Sequence, residues 1–424
     1  MQVYEIVMNQ NVIKNIYFIL FSLIPLSIII GPTISLINIL LIAFFYVFQI
    51  IINKDYEFIK KPIFKILIFL YIYLIFNSLI SIDLSSGIFR NFGFLRFIFL
   101  FLALNYFFYK FNNSNKIFNI WLVIVAVLIV DSYVEFFLGK NSLGFEHNYG
   151  RRLVSFFKDE PIVGAFINGF IFILSGYLLQ NFKNKNIKIK ILIFITLTLF
   201  LICVLLTGER SNTIKIYFGF FIFFYLWKYF SFKFKIINSI LFILLISFVF
   251  YKSDFLKLRY GGQLFLNLAS EEKRNEFYQN NLYFSLYKSG IEVFKNYPFL
   301  GVGNKNYRIE TCDVQKYETN KTYLCSTHPH QIYIEFLAEH GLLGTAVVLI
   351  LLFYLIFKNL KIYLESENLL QLGCFIYLLM NFLPLLPSGS FFNDFNLTLF
   401  WLNFSLMYAC NKKTNFFQSK NELT

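Results

Sequence analysis

Charge is scarce in this chain: Asp, Glu, Lys and Arg make up 15% of its 424 residues, while hydrophobic residues make up 58%. Soluble domains carry roughly a quarter charged residues, so an ordinary soluble domain is excluded and membrane spans are implied. No repeat of solenoid length and no soluble flanking domain is present. There is no P-loop, dinucleotide-binding glycine fingerprint, EF-hand loop or Asp-x-Asp motif, so the sequence names no nucleotide, metal or other cofactor. A small-residue cleavage site is lacking after the first apolar run, which therefore reads as a retained signal anchor.

What the chain has instead is apolar runs. They lie at 16–30, 34–52, 63–79, 92–108, 118–137, 162–179, 191–206, 213–229, 236–250, 341–357, 369–386 and 391–408. A spanning helix needs about 17–25 residues, and backbone groups in lipid must bond internally, so these runs read as helices. The expected fold is an all-α polytopic membrane protein of about twelve transmembrane helices.

The net charge of +14 does not point to nucleic acid, because the lysines fall in tufts between the runs. Connections after even-numbered runs carry Lys54, Lys60 and Lys61; Lys110 and Lys116; Lys183, Lys185, Lys188 and Lys190; Lys228, Lys233 and Lys235; Lys358 and Lys361. The short connections after runs 1, 3, 7 and 11 carry only Arg90 and Arg210. By the positive-inside rule, the even connections and both termini are cytoplasmic, in a bacterial inner membrane.

Two longer outer, periplasmic segments remain, 139–161 and 251–340. The second is large enough to fold by itself and is expected to contain amphipathic helices lying on the bundle. The chain thus divides into a transmembrane bundle over 1–250, the periplasmic loop over 251–340 between helices 9 and 10, and a C-terminal part over 341–424.

The reactive residues gather on the outer side. His147, His328, His330 and His340 all lie in or beside these two segments, and histidine suits proton transfer near neutral pH. Arg151, Arg152, Arg210, Arg259, Arg274 and Arg308 are also outside, against the topological tendency of basic residues. Either they pair with Asp159, Glu160, Glu271, Glu272 or lipid headgroups, or they hold an anionic ligand through their planar forks. For the set, the ligand is favoured. Arg210 sits in Thr207-Gly208-Glu209-Arg210-Ser211-Asn212, a turn into helix 8, where free N–H groups and the helix dipole add to an anion site at headgroup depth. Cys312 and Cys325, thirteen positions apart in the outer segment, could close a disulfide in an oxidising compartment. A metal role is disfavoured, because His328 and His330 lack close-spaced cysteine ligands.

Tyr297-Pro-Phe-Leu-Gly-Val-Gly303, Thr327-His-Pro-His-Gln-Ile-Tyr333 and Glu339-His-Gly-Leu-Leu-Gly344 together resemble the signature of the O-antigen ligase and polymerase superfamily. In that family the pattern reads Pro-hydrophobic-hydrophobic-Gly-x-Gly, then His-Asn-x-Tyr/Phe-Leu, then a glycine turning into the next helix. Thr207-Gly208-Glu209-Arg210-Ser211 is similar to its Thr-Gly-Ser-Arg-Ser, and Arg152-Leu-Val-Ser-Phe-Phe157 to its Arg-Leu-x-Gly-x-Phe. Gln331 stands where the family has Asn, and Glu209 where it has Ser.

The resemblance implies an inverting, metal-independent transfer of a glycan from an undecaprenyl-diphosphate carrier to an acceptor hydroxyl at the periplasmic face. Ligases use lipid A–core as acceptor; polymerases use a second carrier-linked glycan. Ligase is the first choice. Carried over by position, His330 is the general base, and Arg210 and Arg274 hold the diphosphate. Arg152 joins them, with Arg151, His328, Arg308 and Gln331 as substrate-binding candidates. Expected partners are the carrier-linked glycan, the acceptor and membrane lipids, with no nucleic acid. The connection Gly31-Pro32-Thr33 holds no carboxylate, unlike metal-dependent membrane glycosyltransferases. A transporter is the competing class. Its candidates Arg96, Asp131 and Glu135 form no matching sets in two halves and read as bundle pairs or the lining of a carrier groove.

Overall fold

The computed structural model describes residues 10–111, 114–146, 152–180, 182–262, 270–271 and 281–418. Among the described residues the chain is helical, with one isolated β-bridge and no longer strand. The helices used below are α1 (Gln10–Ser22), α2 (Ile24–Ile30), α3 (Pro32–Asn53), α4 (Pro62–Leu79), α5 (Leu84–Gly93), α6 (Leu95–Lys110), α7 (Ser114–Leu138), α8 (Val163–Leu179), α9 (Ile187–Leu206), α10 (Arg210–Leu226), α11 (Phe232–Lys252), α12 (Leu282–Asn296), α13 (Ile332–Phe357), α14 (Leu369–Asn381) and α15 (Asp394–Ala409).

Local sequence sets many of the boundaries. Pro32 and Pro62 open α3 and α4, where a missing N–H costs nothing. Asn186, Asn281, Asn368 and Asn393 each accept a backbone N–H of the helix that follows, which supplies N-caps for α9, α12, α14 and α15.

Every apolar run has a helical counterpart, but the helices differ in length. Among the described residues seven spans are long and apolar enough to cross a membrane, with α5 and α6 counted together as one, or eight if the bent pair α1–α2, broken by 42°, is also one. The helices α8 and α14 are apolar but shorter. They are also the most enclosed. Gly176 packs against the Leu369 backbone and Gly373 against Phe172, so small residues let α8 and α14 approach closely. By contrast, α11 leaves Ile237, Ile240, Leu241, Ile243, Leu244 and Phe248 exposed, as a helix at the lipid boundary would.

The sequence expects runs over 369–386 and 391–408, yet α14 stops at Asn381 and α15 starts at Asp394. Pro384, Pro387 and Gly389 punctuate the gap. At 13 residues α14 rises only about 20 Å. The irregular segment 382–393 that follows packs against protein at Phe382 and at Ser390–Phe392, while Pro384, Leu385 and Gly389 are exposed. Tyr333 Oη donates to the Phe382 carbonyl at 2.6 Å, and Ser388 N donates to the His330 carbonyl at 2.8 Å. This segment therefore backs the histidines.

In segment 251–340, where it is described, short helices alternate with turns, and 297–306 and 320–331 are irregular. Asn281 starts α12, which packs along the first part of α13 and leaves Leu282 and Ile291 outward. Cys312 and Cys325 are disulfide-bonded, with Cα atoms 4.5 Å apart, and close the segment that leads to His328.

The motif 297–303 packs onto a break in α13. Gly341 has φ 62° in the middle of that helix. Val302 N and Gly303 N donate to the Ala338 and Glu339 carbonyls, and Leu342 N and Leu343 N donate to those of Pro298 and Phe299. A Cβ on Gly301 or Gly341 would sit within 2.4 Å of the opposing backbone, so both glycines are dictated by close approach as well as by positive φ. Helix α13 begins at Ile332, nine residues before the apolar run; His340 lies inside it, at the kink.

Candidate active site

The first half of the site is cationic. Segment 152–157 reaches it because two carboxylates near the end of α7 hold its backbone. Val154 N and Ser155 N donate to Glu135, the latter at 2.6 Å, while Ser155 Oγ and Ser142 N donate to Asp131 at 2.6 and 2.9 Å. Asp131 and Glu135 are one helical turn apart, so both face this loop. Arg96 pairs with Asp394 inside the bundle, which Arg90 also contacts. None of the three intramembrane candidates is left over for a transport pathway.

Leu153 N donates to the Thr207 carbonyl at 3.3 Å, which sets Arg152 beside the turn 207–210. Gly208, at φ 72°, makes that turn. Glu209 is tied to the neighbouring helix α8. Its carboxylate accepts from Gly164 N, Ala165 N and Asn212 Nδ2, capping α8. Burial pushes its pKa up to about 7, against the pull of these hydrogen bonds and of Arg152. A residue that departs from the family pattern thus ties the arginine turn to the neighbouring helix.

Arg259 completes the cluster. Its Nε donates to the Gly208 carbonyl at 3.0 Å, and burial, then the charges of Arg152 and Arg210, push its pKa down to about 10. The pKa of Arg210 is lowered by burial first and then, among the charges, by Arg152, while Tyr283 and Tyr260 act the other way. Neither Arg152 nor Arg210 makes an ion pair among the described residues, and Arg152 Nε is buried without a hydrogen-bond partner. Like charges held together at a helix N-terminus make a site for an anion.

The second half is the histidine turn. His330, half-buried, sits at φ 57°, an uncommon conformation for a non-glycine residue. Its ring lies 3.9 Å from that of His328, centroid to centroid. The helix cap is not His330 but Gln331, whose Oε1 accepts from Ile334 N at 2.8 Å, so the imidazole is free of that duty. His328 bonds Thr327 Oγ1 through Nδ1, and its buried Nε2 has no partner. Burial pushes both histidines down to about 4, with Lys305 adding to the effect at His328 and His328 at His330. Both are neutral at pH 7, the form that accepts a proton.

Tyr283, in the first turn of α12, joins the halves. It lies close to Arg210 and Arg259, and its ring meets that of His330 edge-on at 5.9 Å.

Of the residues singled out by the sequence, the structure gathers Arg152, Arg210, His328, His330 and Gln331. Arg308 is exposed on the short helix Tyr307–Cys312, makes no hydrogen bond or ion pair to the cluster among the described residues, and is not brought into it. Arg151, Arg274, His147 and Glu272 lie outside the described residues. His340 bonds Tyr73 Oη through Nδ1 and is buried at the helix kink, apart from the histidine pair. Sequence reasoning ranked Arg259 only among outer arginines and missed Tyr283, Lys305 and Glu335. Nothing marks Tyr283 among 28 tyrosines, whereas Asp131 and Glu135 carried a legible signal, two acids one turn apart at a span end.

No curated protein matches the chain. Residues 194–349 match a family model described as O-antigen ligase, and over this stretch, which carries the arginine turn, the histidine pair and the glycine kink, the chain is similar to that family.

Proposed function

We propose that the chain is a multi-pass inner-membrane glycosyltransferase. It moves a glycan from an undecaprenyl-diphosphate carrier to an acceptor hydroxyl at the periplasmic face, most simply as an O-antigen ligase acting on lipid A–core. The observation that carries this reading is the gathering of Arg152, Arg210 and Arg259 at the start of α10, across Tyr283 from a neutral His330. The long outer segment, twelve crossings and cytoplasmic termini belong to the same proposal and rest on the lysine tufts.

The diphosphate sits against the arginines, whose charge stabilises the leaving group as its bond to the anomeric carbon breaks. The electron pair of that bond goes to the diphosphate. His330 takes the proton of the acceptor hydroxyl as the new C–O bond forms, a contribution of about 10²–10⁴-fold. Direct displacement inverts the anomeric centre. The leaving group is good enough that the scheme calls on no metal or nucleotide. Arg274, by its match to the family pattern, is a further diphosphate ligand.

The test is transfer in vitro with purified protein, carrier-diphosphate glycan and lipid A–core. A lipid A–core product supports the ligase; lengthened carrier-linked chains without it make the protein a polymerase. Neither product with folded protein and cognate glycan overturns the enzymatic reading in favour of a transporter.

A further inference from the structure

Helix α13 carries two fully buried carboxylates, Glu335 and Glu339, within its first turns after His330. Burial of an acid in a helix that enters the membrane is costly unless its oxygens are satisfied. Those of Glu335 are. Ser390 Oγ donates to Oε1 at 2.5 Å, and Phe391 N donates to Oε2 at 3.0 Å. The Lys305 ammonium donates in turn to Ser390 Oγ. Lys305 is held there by the 297–303 motif and adopts φ 65°, a second non-glycine residue in the left-handed region near the histidines.

The segment gripped by Glu335, 388–391, is the one whose Ser388 N bonds the His330 carbonyl. Glu335 thus connects to His330 by structure, through that segment and through one turn of α13, and by charge. Among the described residues, Glu335 is the carboxylate whose charge acts on His330. The groups facing it are His328 on its own turn, Tyr283 from α12 with Arg210 and Arg259 beyond, Lys305 from the motif loop, and the uncharged Ser388. Glu339 faces Glu335 from the following turn of the helix.

We propose that Glu335 is the positioning carboxylate of this site. Through Ser390 and segment 388–391 it fixes the strained His330 turn, and its charge, balanced by Lys305 while His330 is neutral, supports the imidazolium that forms when His330 accepts the hydroxyl proton. The proton moves from the acceptor oxygen to His330 and is released to solvent after product leaves; Glu335 is not a proton carrier. This inference rests on the assignment of His330 as base.

The experiment compares full-length native protein, Glu335→Gln, Glu335→Asp, Ser390→Ala and His330→Ala in detergent or nanodiscs. It measures donor binding, acceptor KM, kcat and the kcat–pH profile. Loss of the carboxylate is expected to lower kcat about 10–100-fold with donor binding and acceptor KM within threefold. The acid limb moves to lower pH, because the imidazolium has lost its support. Glu335→Asp recovers part of kcat and returns the limb. If Glu335→Gln does not fold, Ser390→Ala, which keeps the acid but cuts its grip on the segment, lowers kcat about 3–10-fold with KM kept. An unmoved acid limb, or a fall in kcat matched by an equal loss of donor binding, overturns the proposal. If His330→Ala itself keeps full transfer, the assignment of the base has failed, and the Glu335 result is judged against a different group.

Discussion

Two turns that lead into helices carry the site, Thr207–Arg210 before α10 and Thr327–Gln331 before α13, and they are built differently. In the first, the left-handed position is a glycine and the side chain that follows, Glu209, caps α8. In the second, the strained position is the functional residue itself, His330, and the helix cap is the next residue, Gln331. The arginine turn needs only a lasting positive charge at one depth; guanidinium groups reach far, so the backbone is free to be a glycine hinge. The histidine turn must aim one ring, so strain is placed where direction matters and is held by surrounding bonds. The difference separates binding from chemistry, and substitutions test whether that separation is real.

The largest effect is expected at the histidine turn. His330→Ala lowers transfer by about 10²–10⁴-fold and leaves donor binding intact, read by turnover and by binding of a polyprenyl diphosphate. At the arginine turn, Arg210→Ala lowers turnover about 10²–10³-fold, and unlike His330→Ala it weakens binding of the diphosphate carrier. Arg152→Ala behaves in the same way, with its buried Nε now removed.

The pH profile sharpens the contrast. A base must be neutral to act, and His330 is pushed down to about 4, so kcat/KM falls only as pH drops towards 4 and not at the usual histidine value near 6.5. A limb near 6.5 contradicts the burial seen at this turn.

Glu209 provides a stability test. Its folded pKa is raised to about 7, above the ordinary carboxyl value of 4.5. The native state therefore binds more protons than the unfolded state between these values. Stability is fully present below pH 4.5 and is lost as pH rises through 7. Glu209→Gln flattens that slope, by no more than about 3 kcal/mol, in thermal melts from pH 4.5 to 8. An unchanged slope places the titrating group elsewhere.

The smallest effect belongs to the disulfide, which braces the segment and not the site. Cys312→Ser with Cys325→Ser costs about 3 kcal/mol of local stability and changes turnover less than tenfold. A larger loss of turnover makes the staple part of the chemistry.

Much of this was legible in the sequence, for physical reasons. Apolar runs must become helices in lipid, so every run has its helix. Glycine and histidine spacing exposed the motif, because close backbone approach at Gly301 and Gly341 admits no other residue. What was not legible is what depends on three-dimensional pairing. Pro384 and Pro387 mark the early end of α14, but the packing of segment 382–393 behind His330 is a contact that no local periodicity encodes. Asp131 and Glu135 read as intramembrane charges, yet their partners are backbone N–H groups of a loop, and such partners leave no trace in side-chain pattern. Arg259 and Tyr283 join the site only because segment 251–340 folds back onto the turn before α10 and the turn before α13.

The most direct test of a site divided into a binding half and a chemical half is one paired measurement on Arg210→Ala and His330→Ala. It records equilibrium binding of the carrier-diphosphate donor and the single-turnover rate of glycan transfer at saturating donor. The account predicts that His330→Ala binds donor as the native protein does and does not transfer, while Arg210→Ala loses donor affinity. Equal loss of donor affinity in both variants, or unimpaired transfer by His330→Ala, would contradict it.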